Sequence, residues 1–76
     1  MNAVGIDVSK GKSTVAIMRP YGEIVASPFE INHTEDDFKK LVSQIQKLHG
    51  ESRIIMEYTG RYYEPLANYL YNAGLH

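Results

Sequence analysis

The sequence predicts a single mixed α/β domain with the element order β-β-β-α-β-α. Apolar residues alternate with polar or small ones through the first thirty positions, then recur with a helical period after residue 34. A short apolar run, Ile54-Ile55-Met56, follows, and a second helical stretch comes after it. A strand, a helix and a further strand in succession imply a right-handed crossover and a parallel pairing.

Each element has a local cause. In Ala3 to Ser9, Val4, Ile6 and Val8 point one way, and Gly5, Asp7 and Ser9 the other. Lys10-Gly11-Lys12 is a turn signal, because glycine takes a positive φ at no steric cost. Ser13 to Arg19 reads as the second strand, and Pro20-Tyr21-Gly22 closes the next turn. Glu23 to Ile31 is the third strand. Pro28 cannot donate to a ladder, which places this strand at a sheet edge or gives it a bulge. Thr34, with Asp37 three residues on, caps a helix whose apolar stripe is Phe38, Leu41, Val42, Ile45 and Leu48. Glu35, Asp36 and Asp37 in its first turn, with Lys47 and His49 near its last, suit the helix dipole, and Gly50 ends it. Arg53 to Glu57 lacks alternation, as expected of a strand covered on both faces. After Thr59-Gly60 a second helix starts near Tyr62 to Pro65, with Tyr62, Leu66, Tyr69, Leu70 and Ala73 inward and Gly74 as its stop.

Bulk properties exclude several classes. A chain of 76 residues makes one small domain with a thin core, burying about 60–65% of its unfolded surface. Without cysteine there are no disulfides and no thiolate metal sites, which fits a reducing cytoplasm, the expected location. The N-terminus lacks the basic segment of a signal peptide, and no apolar run could span a bilayer. A net charge of −1 gives no global electrostatic case for nucleic acid, so any such contact is local.

The chemistry resides in two carboxylates. Asp7 interrupts a strand that otherwise reads as core, and Glu57 closes a second apolar strand fifty positions later. A buried lone carboxylate is costly unless paired, hydrogen-bonded or metal-bound. Two at the ends of strands that could lie side by side suggest a divalent-metal site. The bland readings are a structural hydrogen bond for Asp7 and simple solvation for Glu57. The three histidines have no spacing suggestive of zinc, and a nucleophilic role for Tyr58, Tyr62 or Tyr63 is a minor alternative.

Two blocks carry a resemblance. Gly5-Ile6-Asp7-Val8-Ser9-Lys10, and Met56 to Tyr63 followed by Leu66-Ala67-Asn68-Tyr69-Leu70, closely resemble the N-terminal RuvC-like domain of DEDD insertion-sequence transposases, the Piv/MooV-like recombinases. The likeness runs from Ala3 to Gly74. It implies an RNase H-like (RuvC-like) α/β fold truncated before its fifth strand. Residues 1–76 would then be the N-terminal part of the catalytic domain, with the C-terminal transposase domain absent. It also implies a catalytic and metal-binding tetrad of Asp, Glu, Asp, Asp, in which Asp7 matches the first position and Glu57 the second. Neither of the last two aspartates, nor the serine nucleophile proposed for the family's second domain, has a match in this chain.

The function so implied is cutting and rejoining of DNA by metal-dependent phosphoryl transfer. A two-ion Mg²⁺ site is expected in the complete domain and weak or no metal binding in this fragment, which should itself be inactive. DNA is the implied partner and a guide RNA a further candidate, with no role for a membrane. Ser9, Lys10, Thr59 and Arg61 are weaker candidates for DNA phosphate contact; Ser9 and Lys10 also read as a polar turn, and Arg61 as a partner of Glu64. The alternatives are an N-terminal fragment of an actin, Hsp70 or sugar-kinase type ATPase, or a non-catalytic interaction module. The ATPases usually place glycine and threonine or serine directly after the first strand's aspartate to cradle phosphate, and Val8-Ser9-Lys10 lacks the glycine. Without the fifth strand the fourth presents an unpaired edge, and this edge, or the flank of the 62–73 helix, predicts a homodimer of the fragment as a consequence of the truncation.

Overall fold

The computed structural model describes residues 1–19, 22–48, 50–58 and 60–75. Strands β1 (Asn2–Ser9), β2 (Lys12–Met18) and β3 (Ile24–Asn32) precede helix α1 (Glu35–Gln46), strand β4 (Ser52–Glu57) and helix α2 (Glu64–Asn72). They form a mostly sheet-built α/β domain, with strand order β3-β2-β1-β4. β1 pairs antiparallel with β2 and parallel with β4, as the strand–helix–strand order requires.

The alternation read from the sequence holds in β1 and β2: Val4, Ile6, Val8, Val15 and Ile17 are buried, and the residues between them are not. Both helices add to this one core, α1 through Phe38, Leu41, Val42 and Ile45, and α2 through Leu66 and Leu70. The helices therefore cover a single face of the sheet, and the opposite face is open. No helix among the described residues is long and apolar enough to cross a membrane.

Turns and caps follow their residues. Ser9 pairs with Lys12 across the two-residue loop Lys10-Gly11, where Gly11 takes a φ of 74°. Thr34 caps α1 by accepting from the Asp37 backbone N–H at 3.3 Å. Asp37 in turn accepts from the Asn32 N–H at 2.7 Å, which ties the helix start to the end of β3. Pro28 has both predicted consequences. β3 is an edge strand, and its pairing with β2 shifts register between Val15↔Phe29 and Ile17↔Ala26.

Several expectations need correction. β4 is not covered on both faces. Ile54 and Met56 are half-buried against the helices, whereas Ile55 is 55% exposed on the open side. The uninterrupted apolar run hides a one-sided strand. Tyr62 is 46% exposed and precedes α2 instead of contributing to its inner face. α1 ends at Gln46, so Lys47 is its C-cap and not part of its last turn. His49, Thr59, His76 and the turn residues Pro20 and Tyr21 lie outside the described residues.

Candidate active site

Asp7 is exposed on the open face, not buried as the sequence suggests, because Ile6 and Val8 occupy the core positions beside it. Glu57 ends β4 on that same face, one position past the half-buried Met56. The parallel register pairs the two directly, Asp7↔Glu57. Neighbouring strands run about 4.8 Å apart, so the two carboxylates project side by side from a rigid base. On its other side Asp7 pairs with Thr14 of β2. A shallow cavity of about 270 Å³ opens here, lined by Gly5, Asp7, Thr14, Ala16, Ile55 and Glu57.

The floor of this cavity is small and the carboxylates stand at its end. Gly5 is a strand glycine on which an added Cβ would meet nothing within 4 Å. Neither Asp7 nor Glu57 forms an ion pair with another described residue. Two unpaired hard-oxygen donors on adjacent strands are the donor chemistry a divalent cation such as Mg²⁺ takes. They are only part of a ligand set: among the described residues no group of three or more acidic, histidine or cysteine side chains could hold a metal.

The weaker candidates have mixed placements. The Ser9 hydroxyl donates to the Lys12 carbonyl at 3.1 Å and so serves the β1–β2 turn, with Lys10 exposed at its tip. Arg61 stands 3.9 Å from Glu64, with its side chain 90% exposed, an ion pair of small energetic value. It forms no ion pair with Asp7 or Glu57. Thr59 lies outside the described residues.

Two features escaped the sequence reading. Thr14 reaches the site only through the β1–β2 register, which the hairpin length between Asp7 and Thr14 could have supplied. Tyr58 and Tyr63 stack with ring centroids 3.9 Å apart, bracketing the loop that leaves Glu57. Tyrosines either side of a Thr-Gly break were its only signal. Beneath the sheet, the buried Ser13 hydroxyl lies 2.8 Å from His33 Nε2, and burial holds the His33 pKa below its ordinary value.

No curated protein matches the chain significantly. Residues 4–76 match a family model described as Transposase, that of the DEDD transposases of the IS110 type, over their N-terminal RuvC-like domain.

Proposed function

Since the chain belongs to the IS110 DEDD transposase family, a family of DNA-cutting enzymes that use divalent metal, we propose that Asp7 and Glu57 are two of the metal-binding catalytic carboxylates. The observation that carries this reading is their direct pairing on the open face of two parallel strands. Both carboxylates are exposed and neither forms an ion pair with another described residue, which leaves their oxygens available to a cation.

In this reading residues 1–76 form the N-terminal part of an RNase H-like catalytic domain that acts on DNA. Asp7, on a strand paired on both sides, is the more rigid ligand, and Glu57 completes the inner half of the site. Bound Mg²⁺ would supply activation of the attacking oxygen and neutralisation of charge on the leaving one. The chain's own residues contribute position. The β1–β4 ladder fixes the spacing of the two carboxylates, and the small floor at Gly5 and Ala16 leaves the approach to them open. Further ligands must come from residues outside this pair, so the 76-residue chain alone binds Mg²⁺ weakly and does not cut DNA. Lys10 and Arg61, both exposed, are the residues best placed by charge to meet phosphate, with Ser9 and Thr59 secondary.

The test uses the transposition-competent protein. Asp7→Ala and Glu57→Ala should each lower metal-dependent strand cleavage by at least about a thousandfold, some 4 kcal/mol of transition-state stabilisation, with an unchanged circular dichroism spectrum. A folded variant of either kind that still transposes would refute the assignment.

A further inference from the structure

The two carboxylates of the pair are held differently. Asp7 lies two residues inside the end of β1, with Thr14 of β2 opposite it on one side and Glu57 on the other. Glu57 is the last residue of β4, and Asp7↔Glu57 is the last rung of the parallel ladder. A residue at the end of a ladder has regular pairing behind it only, so its backbone is among the first to fray. In this chain an aromatic contact follows at once. Tyr58 stacks on Tyr63 with ring centroids 3.9 Å apart and planes 26° from parallel. Gly60, with a φ of 66°, helps turn the chain back toward the first ring, and in the same turn the Arg61 carbonyl accepts from the Glu64 N–H at 3.2 Å. Tyr63 is itself fixed. It packs against the core, and its carbonyl accepts the Ala67 N–H at 2.9 Å in the first turn of α2. The buried Leu66 and Leu70 seat that helix on the sheet.

We infer that the Tyr58–Tyr63 stack is a clamp for Glu57: it ties the end of β4 to the start of α2 and so holds the Glu57 carboxylate at the spacing from Asp7 that a shared divalent cation needs. Both tyrosines are positioning residues, and the inference rests on the reading of Asp7 and Glu57 as metal ligands. One planar peptide, about 3.8 Å from Cα to Cα, joins Tyr58 to Glu57. A fixed Tyr58 ring therefore leaves the Glu57 backbone little room to move. Because Tyr63 packs on the core side of the sheet, the clamp grips Glu57 from behind and leaves its carboxylate open. The contact uses ring faces and not hydroxyls, so phenylalanine serves in place of tyrosine. Without the stack, a cation has to order Glu57 as it binds. Metal affinity should then fall by about fivefold, the order of effect that one aromatic pair supplies. Tyr58 is 50% exposed, so its removal opens no cavity in the core.

Titration of the metal-free, transposition-competent protein with Mn²⁺, followed by loss of the free ion's paramagnetic resonance signal, tests it. Tyr58→Ala should weaken Mn²⁺ binding about fivefold, and Tyr58→Phe should match the wild type. Saturating Mg²⁺ should return Tyr58→Ala to the wild-type rate of strand cleavage, with an unchanged KM for DNA. Added to Glu57→Ala, Tyr58→Ala should have no further effect on Mn²⁺ binding, since the clamp then has no carboxylate to hold. Hydrogen exchange supplies a readout without any ligand: in Tyr58→Ala, residues 54–58 should exchange faster and residues 13–17 of β2 at the wild-type rate. Unchanged Mn²⁺ affinity or unchanged exchange in Tyr58→Ala, a loss shared by Tyr58→Phe, a defect that Mg²⁺ does not reverse, or a raised KM for DNA would each overturn the inference. Glu57→Ala separates the clamp from the reading beneath it. If Glu57→Ala weakens Mn²⁺ binding and Tyr58→Ala does not, the clamp alone fails. If Glu57→Ala leaves Mn²⁺ binding unchanged, the metal reading fails and the clamp with it.

Discussion

The two faces of β1 divide the work of the domain between them. Val4, Ile6 and Val8 are large, apolar and almost wholly buried under the helices, whereas Ala3, Gly5 and Asp7, which alternate with them, are small or charged and open to solvent. The same eight-residue strand thus anchors the core and presents the candidate site. Because side chains alternate with period two, neither face can slip onto the other without losing both. The domain can therefore vary its open face without disturbing its core. Changes on each side should separate stability from activity, and three measurements press on that separation.

The largest effect belongs to the buried side. Ile6→Ala should cost about 3 kcal/mol through lost burial and the cavity it leaves. A domain of this size without disulfides has only a few kcal/mol in hand, on the order of 3–5, so much of the variant should be unfolded at room temperature. Asp7→Ala, one residue along, should change stability by less than about 0.5 kcal/mol. Urea denaturation of the two variants side by side decides the matter. Comparable losses would mean that Asp7 has a structural role and that the faces are not independent.

A smaller effect of opposite sign is expected at Gly5. Glycine in a strand interior is less favourable than alanine by about 0.5–1 kcal/mol, and a Cβ at this position meets nothing within 4 Å. Gly5→Ala should therefore raise the melting temperature by a few degrees, about 3 °C for a domain of this size. A fall in melting temperature would show that the open face is occupied in the protein as it exists in solution.

How far this division could be read in advance depended on where the information sits. β1 announced both faces, since Asp7 falls at an alternate position between Ile6 and Val8. The α1 start was equally legible, because Thr34 and Asp37 act within three residues of one another. β4 was misread for a physical reason. Ile54, Ile55 and Met56 are all apolar, so the sequence carries no contrast from which to tell a one-sided strand from a doubly covered one. The placement of Thr14 beside Asp7 and the stack of Tyr58 on Tyr63 are set by pairing register and loop path, neither of which is encoded in local composition. The proximity of Asp7 and Glu57 was legible only by way of the crossover rule, through the parallel pairing it demands.

The smallest effect lies on the core side and is a dependence on pH. Ser13 is 1% exposed and its hydroxyl lies 2.8 Å from His33 Nε2, while the His33 ring tilts against Phe38 with centroids 5.7 Å apart. No described acid forms an ion pair with this imidazole. Burial disfavours its charged form and lowers the pKa from the ordinary 6.5. The unfolded chain therefore binds the proton more readily than the folded one. The stability gained by keeping His33 neutral is fully present above 6.5 and is lost as the pH falls through the lowered folded value. The ring keeps partial solvent access, which limits the size of the effect. His33→Gln preserves a side chain able to hydrogen-bond Ser13 and removes the titration. Denaturation midpoints measured above and below pH 6.5 should fall for the wild type and stay level for this variant until the carboxylates begin to protonate. Midpoints that fall in parallel for both proteins would place the pH dependence elsewhere and leave the Ser13–His33 contact a purely structural hydrogen bond.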